Sequence, residues 1–194
     1  TINITDSSQQ AANGIECKGD LLVKDSTVKV LNNYGYGLVS IKNTTFENSN
    51  IEAISSGTDS KNIAIERTKT NDGTIRFIGS NVIARGAKAI EFSEKTDGEL
   101  HIEGGTLQAI GTISAIGDNT TVYSDIGGTR WLNADGTGTK ENFEASSTGQ
   151  SLSNYKKVQF PSIAKASATA PTAINPSYTG MAQALVNAGF SNEG

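Results

Sequence analysis

The chain of 194 residues holds one cysteine, one histidine, one tryptophan, one methionine and three prolines. With Cys17 alone there is no internal disulfide, so stability has to come from packing. His101 is the sole histidine, and a Ser-His-Asp triad or a His-rich metal site within the chain would have to rest on it. Aromatic residues make up 6% and charged residues 19%, with a net charge of −4. No basic cluster exists to neutralise phosphates, which argues against nucleic acid as a partner. No run of 18 apolar residues occurs, so no membrane-inserted helix is expected, and no secretory leader is recognisable.

What the chain does contain is a repeat. Asp20 to Val30 aligns with Asn43 to Ala53, with the stretch from Gly73 to Ala84, and with Glu99 to Ala109. Each copy is a short alternating strand, a turn and a second alternating strand, recurring at an interval typical of repeat arrays. Residues two apart in a strand share a face. The inward columns read Leu21/Thr44/Ile75/Leu100, Val23/Phe46/Phe77/Ile102, Val28/Ile51/Val82/Leu107 and Val30/Ala53/Ala84/Ala109. All but Thr44 are apolar. The columns between them, Leu22/Thr45/Arg76/His101 and Lys29/Glu52/Ile83/Gln108, are mostly polar and belong outside. A slip of one residue would exchange core for surface, so agreement among four copies sets the register.

The turns agree as well. Asp25/Asn48/Gly79/Gly104 tolerate a left-handed backbone, and Ser26/Ser49/Ser80/Gly105 follow them. Thr27/Asn50/Asn81/Thr106 form a column of small polar side chains able to bond to one another along a stack. A third strand precedes each pair: Ile15-Glu16-Cys17, Val39-Ser40-Ile41, Ile63-Ala64-Ile65 and Ile90-Glu91-Phe92, with Ala115-Ile116 opening a fifth. On this alignment Cys17 is a buried, inert small hydrophobe. Three short strands per turn predict an all-β fold, a right-handed single-stranded parallel β-helix of about four to five coils. Handedness follows from the chirality of parallel connections.

The domain is expected to span residues 1–160, with Thr1 to Thr5 as a partial first coil. Thr121 to Tyr123, Thr129 to Leu132 and Tyr155 to Phe160 are expected strands of an irregular C-terminal cap, with Trp131 over the last coil. Residues 161–171 read as an extended linker and 172–194 as a truncated further unit of about two strands, too few to be stable alone. The sequence from Pro171 to Gly189, with Tyr178-Thr179-Gly180 and Ala182-Gln183-Ala184-Leu185-Val186-Asn187-Ala188-Gly189, resembles the opening of the Ig-like repeats of Gram-positive surface proteins. The body, through Asp20-Leu21-Leu22-Val23, Glu99-Leu100-His101-Ile102, Glu103-Gly104-Gly105-Thr106 and Ala109-Ile110-Gly111, resembles a family of secreted bacterial β-solenoids described as carbohydrate-binding or surface proteins. The two resemblances imply an extracellular, cell-surface location, and the first implies a parent protein that continues beyond Gly194.

Chemistry is sparse. Some β-helices cleave polysaccharides with paired carboxylates or a calcium site, but no Asp-Asp pair or acidic cluster is expected on a repeat strand here. The expectation is therefore a non-catalytic module that contacts a glycan or another surface; a polysaccharide lyase or glycoside hydrolase and a structural spacer are the alternatives. No cofactor is expected. Candidate ligand contacts are Tyr34 and Tyr36 in a Gly- and Asn-rich loop, Arg76 and His101 in one outward column, and Trp131. Asn133 to Glu144 has the oxygen spacing of a calcium loop, through Asn133, Asp135 and Glu144. Asn at the first position, Lys140 within the loop and the lack of flanking helices favour a plain capping turn.

Overall fold

The computed structural model describes residues 1–161 except 9, 69–72, 94–96, 116–118 and 153; the side chains of 97, 114, 115 and 119 also lie outside the description. The expected linker from residue 162 on and the expected tail therefore fall outside it. The described residues are all-β and contain no helix. They wind into a parallel β-helix of about four turns, the four steps between five stacked rows of strands.

The first coil comprises β1 (Ile2–Asp6), β2 (Ala12–Cys17) and β3 (Leu21–Lys24), and the second β4 (Thr27–Asn32), β5 (Gly35–Ser40) and β6 (Thr44–Glu47). The third holds β7 (Asn50–Ser55), β8 (Ile63–Arg67) and β9 (Thr74–Ile78). In the fourth, β10 (Asn81–Phe92) bends across a corner to serve two faces before β11 (Asp97–Glu103). The fifth repeats this with β12 (Thr106–Ala115) and β13 (Asn119–Ser124). Face one stacks β1, β4, β7, β10 and β12; face two stacks β2, β5, β8 and the latter halves of β10 and β12; face three stacks β3, β6, β9, β11 and β13.

The predicted columns of faces one and three are those of the structure. Ile2, Val28, Ile51, Val82 and Leu107 are successive ladder partners, as are Leu21, Thr44, Ile75, Leu100 and Val122. From the second row onward, Val28, Ile51, Phe46 and Phe77 are at most 2% exposed, and the Phe46 and Phe77 rings stack at 5.5 Å. The turn columns hold too: Asp25, Asn48, Gly79 and Gly104 all have φ between 48° and 71°. In the polar column Asn81 donates to Asn50 at 2.9 Å and Thr106 to Asn81 at 3.0 Å. Beneath it runs a serine ladder, in which Ser26 N donates to Ser49 Oγ and Ser49 N to Ser80 Oγ, each at 3.1 Å. These bonds satisfy corner backbone that no sheet reaches.

Face two corrects the alignment. Its ladder joins Ile15 to Leu38, Ile65, Ile90 and Ile113, so the second copy is Leu38-Val39-Ser40, the third Ile65-Glu66-Arg67 and the fifth Ile113-Ser114-Ala115. The predicted strand Ala115-Ile116 is displaced, and Ile116 lies outside the described residues. The next column with the parity of Ile15 is Cys17/Ser40/Arg67/Phe92. Arg67 is fully buried and donates from Nε to the Lys42 carbonyl at 3.2 Å. Cys17 is only half-buried, because the first row has no coil beneath it among the described residues, and its thiol donates to the Asp20 carbonyl at 3.2 Å.

Four antiparallel strands close the far end: β14 (Gly128–Trp131), β15 (Lys140–Phe143), β16 (Ser146–Ser151) and β17 (Lys157–Phe160). β17 pairs antiparallel with β12 and β14, and β16 with β13, so the reversed strands end the parallel stack. Neither β15 nor β16 was expected from the sequence. Thr121 to Tyr123, expected in the cap, is instead the fifth row of face three. The plug differs as well. Phe143 and Phe160 meet edge-on at 5.1 Å and join the core with Leu152, whereas Trp131 lies outside that cluster.

Candidate functional site

On the outer side of face three, Leu22, Thr45, Arg76, His101 and Tyr123 stand in one column, one residue per coil. Ladder neighbours are about 4.8 Å apart. The His101 and Tyr123 rings lie 4.7 Å apart and 13° from parallel, so they stack face to face along the axis and turn their edges outward. The neighbouring column holds Glu47, Ile78 and Glu103. Arg76 pairs with Glu103, its Nε donating at 3.0 Å alongside a shorter Nη2 contact. His101 Nε2 lies 3.5 Å from the Glu99 carboxylate.

A cleft opens where this regularity ends. In three successive turns the backbone N–H of Asp25, Asn48 and Gly79 donates to the carbonyl one coil above, of Glu47, Ile78 and Glu103. Gly104 N–H donates instead to the Asp125 side chain, Oδ1, at 2.8 Å. The chain after Ser124 has left the ladder. β16 pairs with β13 through a register shift between Val122 and Ser124, at Tyr123. A side chain on Gly149 of β16 would strike Thr121 and come within 3.1 Å of the Tyr123 ring, so β16 lies close against that ring.

The resulting cleft of about 350 Å³ is lined by the ring edges of His101 and Tyr123, the carboxylates Glu103 and Asp125, and Ser146 and Ser147. That is the size of a small-ligand site. It joins hydroxyl and carboxylate groups that can accept or donate to a polyol, while the facing sides of the two rings are stacked on each other. Of the predicted contacts, His101 lines the cleft and Arg76 braces it through Glu103. Tyr123, Glu103, Asp125 and Ser147 were missed. Tyr123 was findable, since Thr121-Val122-Tyr123 continues the pattern Glu99-Leu100-His101.

The other candidates lie elsewhere. Tyr34 is half-buried, its hydroxyl 3.4 Å from Asp59. Tyr36 lines a separate cavity of about 320 Å³ on face two, and burial, then Glu66 and Glu91, push its phenol above the usual range. Trp131 is buried, with Lys157 and Lys140 at 5.0 and 5.8 Å from its ring centre, so its faces are not a free platform. The proposed calcium ligands are not brought together. Residues 132–139 connect the β14–β15 hairpin, so Asn133 and Asp135 sit at its tip, and Glu144 follows the far end of β15. Asp135 instead accepts from the Thr137 hydroxyl at 2.7 Å and its N–H at 2.8 Å, which hold its carboxyl below the usual range. Thermal unfolding in EDTA and in millimolar calcium is expected to give the same curve; a shift abolished by Glu144→Gln would restore the calcium loop.

The face-two correction also creates a carboxylate pair that the sequence reading denied. Glu66 and Glu91 are ladder neighbours on one strand face, 6% and 8% exposed. Each is engaged: the Ser93 hydroxyl donates to Glu66, and the Lys88 ammonium pairs with Glu91. Among the described residues no three His, Cys, Asp or Glu side chains are grouped to hold a metal ion. Comparison with family models, with curated proteins and with solved structures finds no match.

Proposed function

We propose that the chain is a non-catalytic cell-surface module, a rigid β-helix that binds a glycan in the cleft between His101, Tyr123, Asp125 and Ser147. The observation that carries this reading is the cleft itself, where hydroxyls, carboxylates and aromatic edges converge on the outside of a stiff sheet. The likeness of the body to secreted solenoids and of residues 171–189 to surface repeats supports the extracellular location. Rigidity favours binding, because pre-placed groups lose little freedom when a ligand arrives.

The test is a glycan array, together with incubation on a polysaccharide panel with product detection. Binding is expected, without cleavage products. Ser147→Tyr, which places a ring in the mouth of the cleft from an exposed position, should reduce binding at least tenfold and leave the unfolding temperature unchanged. Cleavage products would replace this reading with the enzymatic one. Silence in both assays would favour a spacer.

A further inference from the structure

We infer that the cleft selects its glycan by charge and takes an amino-bearing sugar in preference to an acidic one; this rests on the glycan-binding reading above. Two carboxylates line the opening, Glu103 and Asp125, with Glu99 beside His101. Among the described residues the guanidinium at this edge, Arg76, is paired with Glu103 and the two charges offset each other, so the negative charge left at the opening is that of Asp125, with Glu99 nearby. An arriving carboxylate, sulfate or phosphate would therefore meet like charge, and an ammonium would meet opposite charge.

Asp125 is placed for this. Gly104 N–H holds Oδ1, which fixes the carboxylate where the ladder breaks and leaves Oδ2 with no donor among the described residues. A held acceptor loses little freedom on meeting an ammonium or a sugar hydroxyl, and an ionised acceptor makes the stronger bond. On the opposite wall the Ser146 hydroxyl is held by Thr148, accepting its N–H at 3.0 Å, while the Ser147 hydroxyl suits an exocyclic hydroxyl of a pyranose.

The experiment is calorimetric titration of the full chain with three probes: glucosamine oligomers, N-acetylglucosamine oligomers and galacturonate oligomers. The expected order of affinity is glucosamine, then N-acetylglucosamine, then galacturonate. Asp125→Asn keeps an oxygen for Gly104 N–H, so the fold should stand. It should weaken glucosamine binding about tenfold, the loss of one charge-assisted bond, and barely change N-acetylglucosamine binding. Asp135→Asn, an exposed carboxylate at the hairpin tip, controls for the overall charge of −4 and should change neither. Equal losses in both variants would overturn the inference by tracing binding to bulk charge. Tighter binding of galacturonate would overturn it while sparing the glycan-binding reading. No heat with any probe, alongside a silent array, would remove both.

Discussion

Ile51→Asp should abolish the cooperative unfolding transition, leaving a chain without a folded baseline at room temperature. Ile51 is 2% exposed, with Val28 and Val82 as its ladder partners below and above, so nothing at this position can hydrate or pair a carboxylate. Loss of the isoleucine removes about 2–3 kcal/mol of apolar burial. The carboxylate must then stay ionised in a dry core or take a proton at neutral pH, and either adds several kcal/mol. Their sum is comparable with the whole stability of a domain, about 5–15 kcal/mol. The neighbouring residue is the control. Glu52 points outward and pairs with Lys29 at 2.8 Å, both side chains about a third or more exposed. Solvent screens such a pair, so Glu52→Ala should cost less than about 1 kcal/mol. Circular dichroism melts of the two variants read the register directly: a mild Ile51→Asp would mean that the column faces water.

Faces one and three were legible because two signals coincide there. The alternation of Val28, Val30, Ile51 and Ala53 gives the inward parity, and the left-handed Asp25, Asn48, Gly79 and Gly104 anchor it at a fixed corner. Face two has no such anchor. The corner before it varies in length, and β10 and β12 bend through it without a break, with irregular pairing between Arg85 and Ile90. Its inward column also includes Ser40 and Arg67, which a hydrophobicity pattern assigns to the surface. Arg67 is tolerated because the corner supplies acceptors, the Lys42 carbonyl among them. The cleft was legible only in part, through Arg76 and His101. Its far wall comes from residues 145–147, about 20 positions beyond Asp125, and its mouth from a side chain replacing one backbone acceptor. Neither event has a periodic signature.

Gly105→Ser should destabilise the protein strongly, against the repeat's own pattern. Ser26, Ser49 and Ser80 occupy the same column in the earlier copies, so the consensus residue at position 105 is serine, and consensus substitutions commonly stabilise. Two facts reverse the sign here. Gly105 has φ of 75°, a left-handed conformation that costs a side chain about 1–2 kcal/mol. A Cβ at this position would also fall 2.1 Å from the Ser80 carbonyl oxygen and 2.6 Å from its nitrogen, both backbone atoms. Ser80 cannot retreat without breaking the bonds by which its hydroxyl receives Ser49 N–H and its carbonyl receives Thr106 N–H at 2.9 Å. The combined cost is expected to exceed about 3 kcal/mol, within the range of backbone strain plus overpacking. Gly104→Asn is the matched comparison. Its φ of 71° is also left-handed, but no atom lies within 4 Å of an added Cβ, and Asn48 already occupies that column with φ of 48°. It should cost less than about 1 kcal/mol, because Asn accepts this conformation with little penalty. Chemical denaturation of the two variants separates the contributions. A Gly105→Ser protein as stable as Gly104→Asn would mean that the Ser80 backbone yields and the serine ladder extends into the fourth turn.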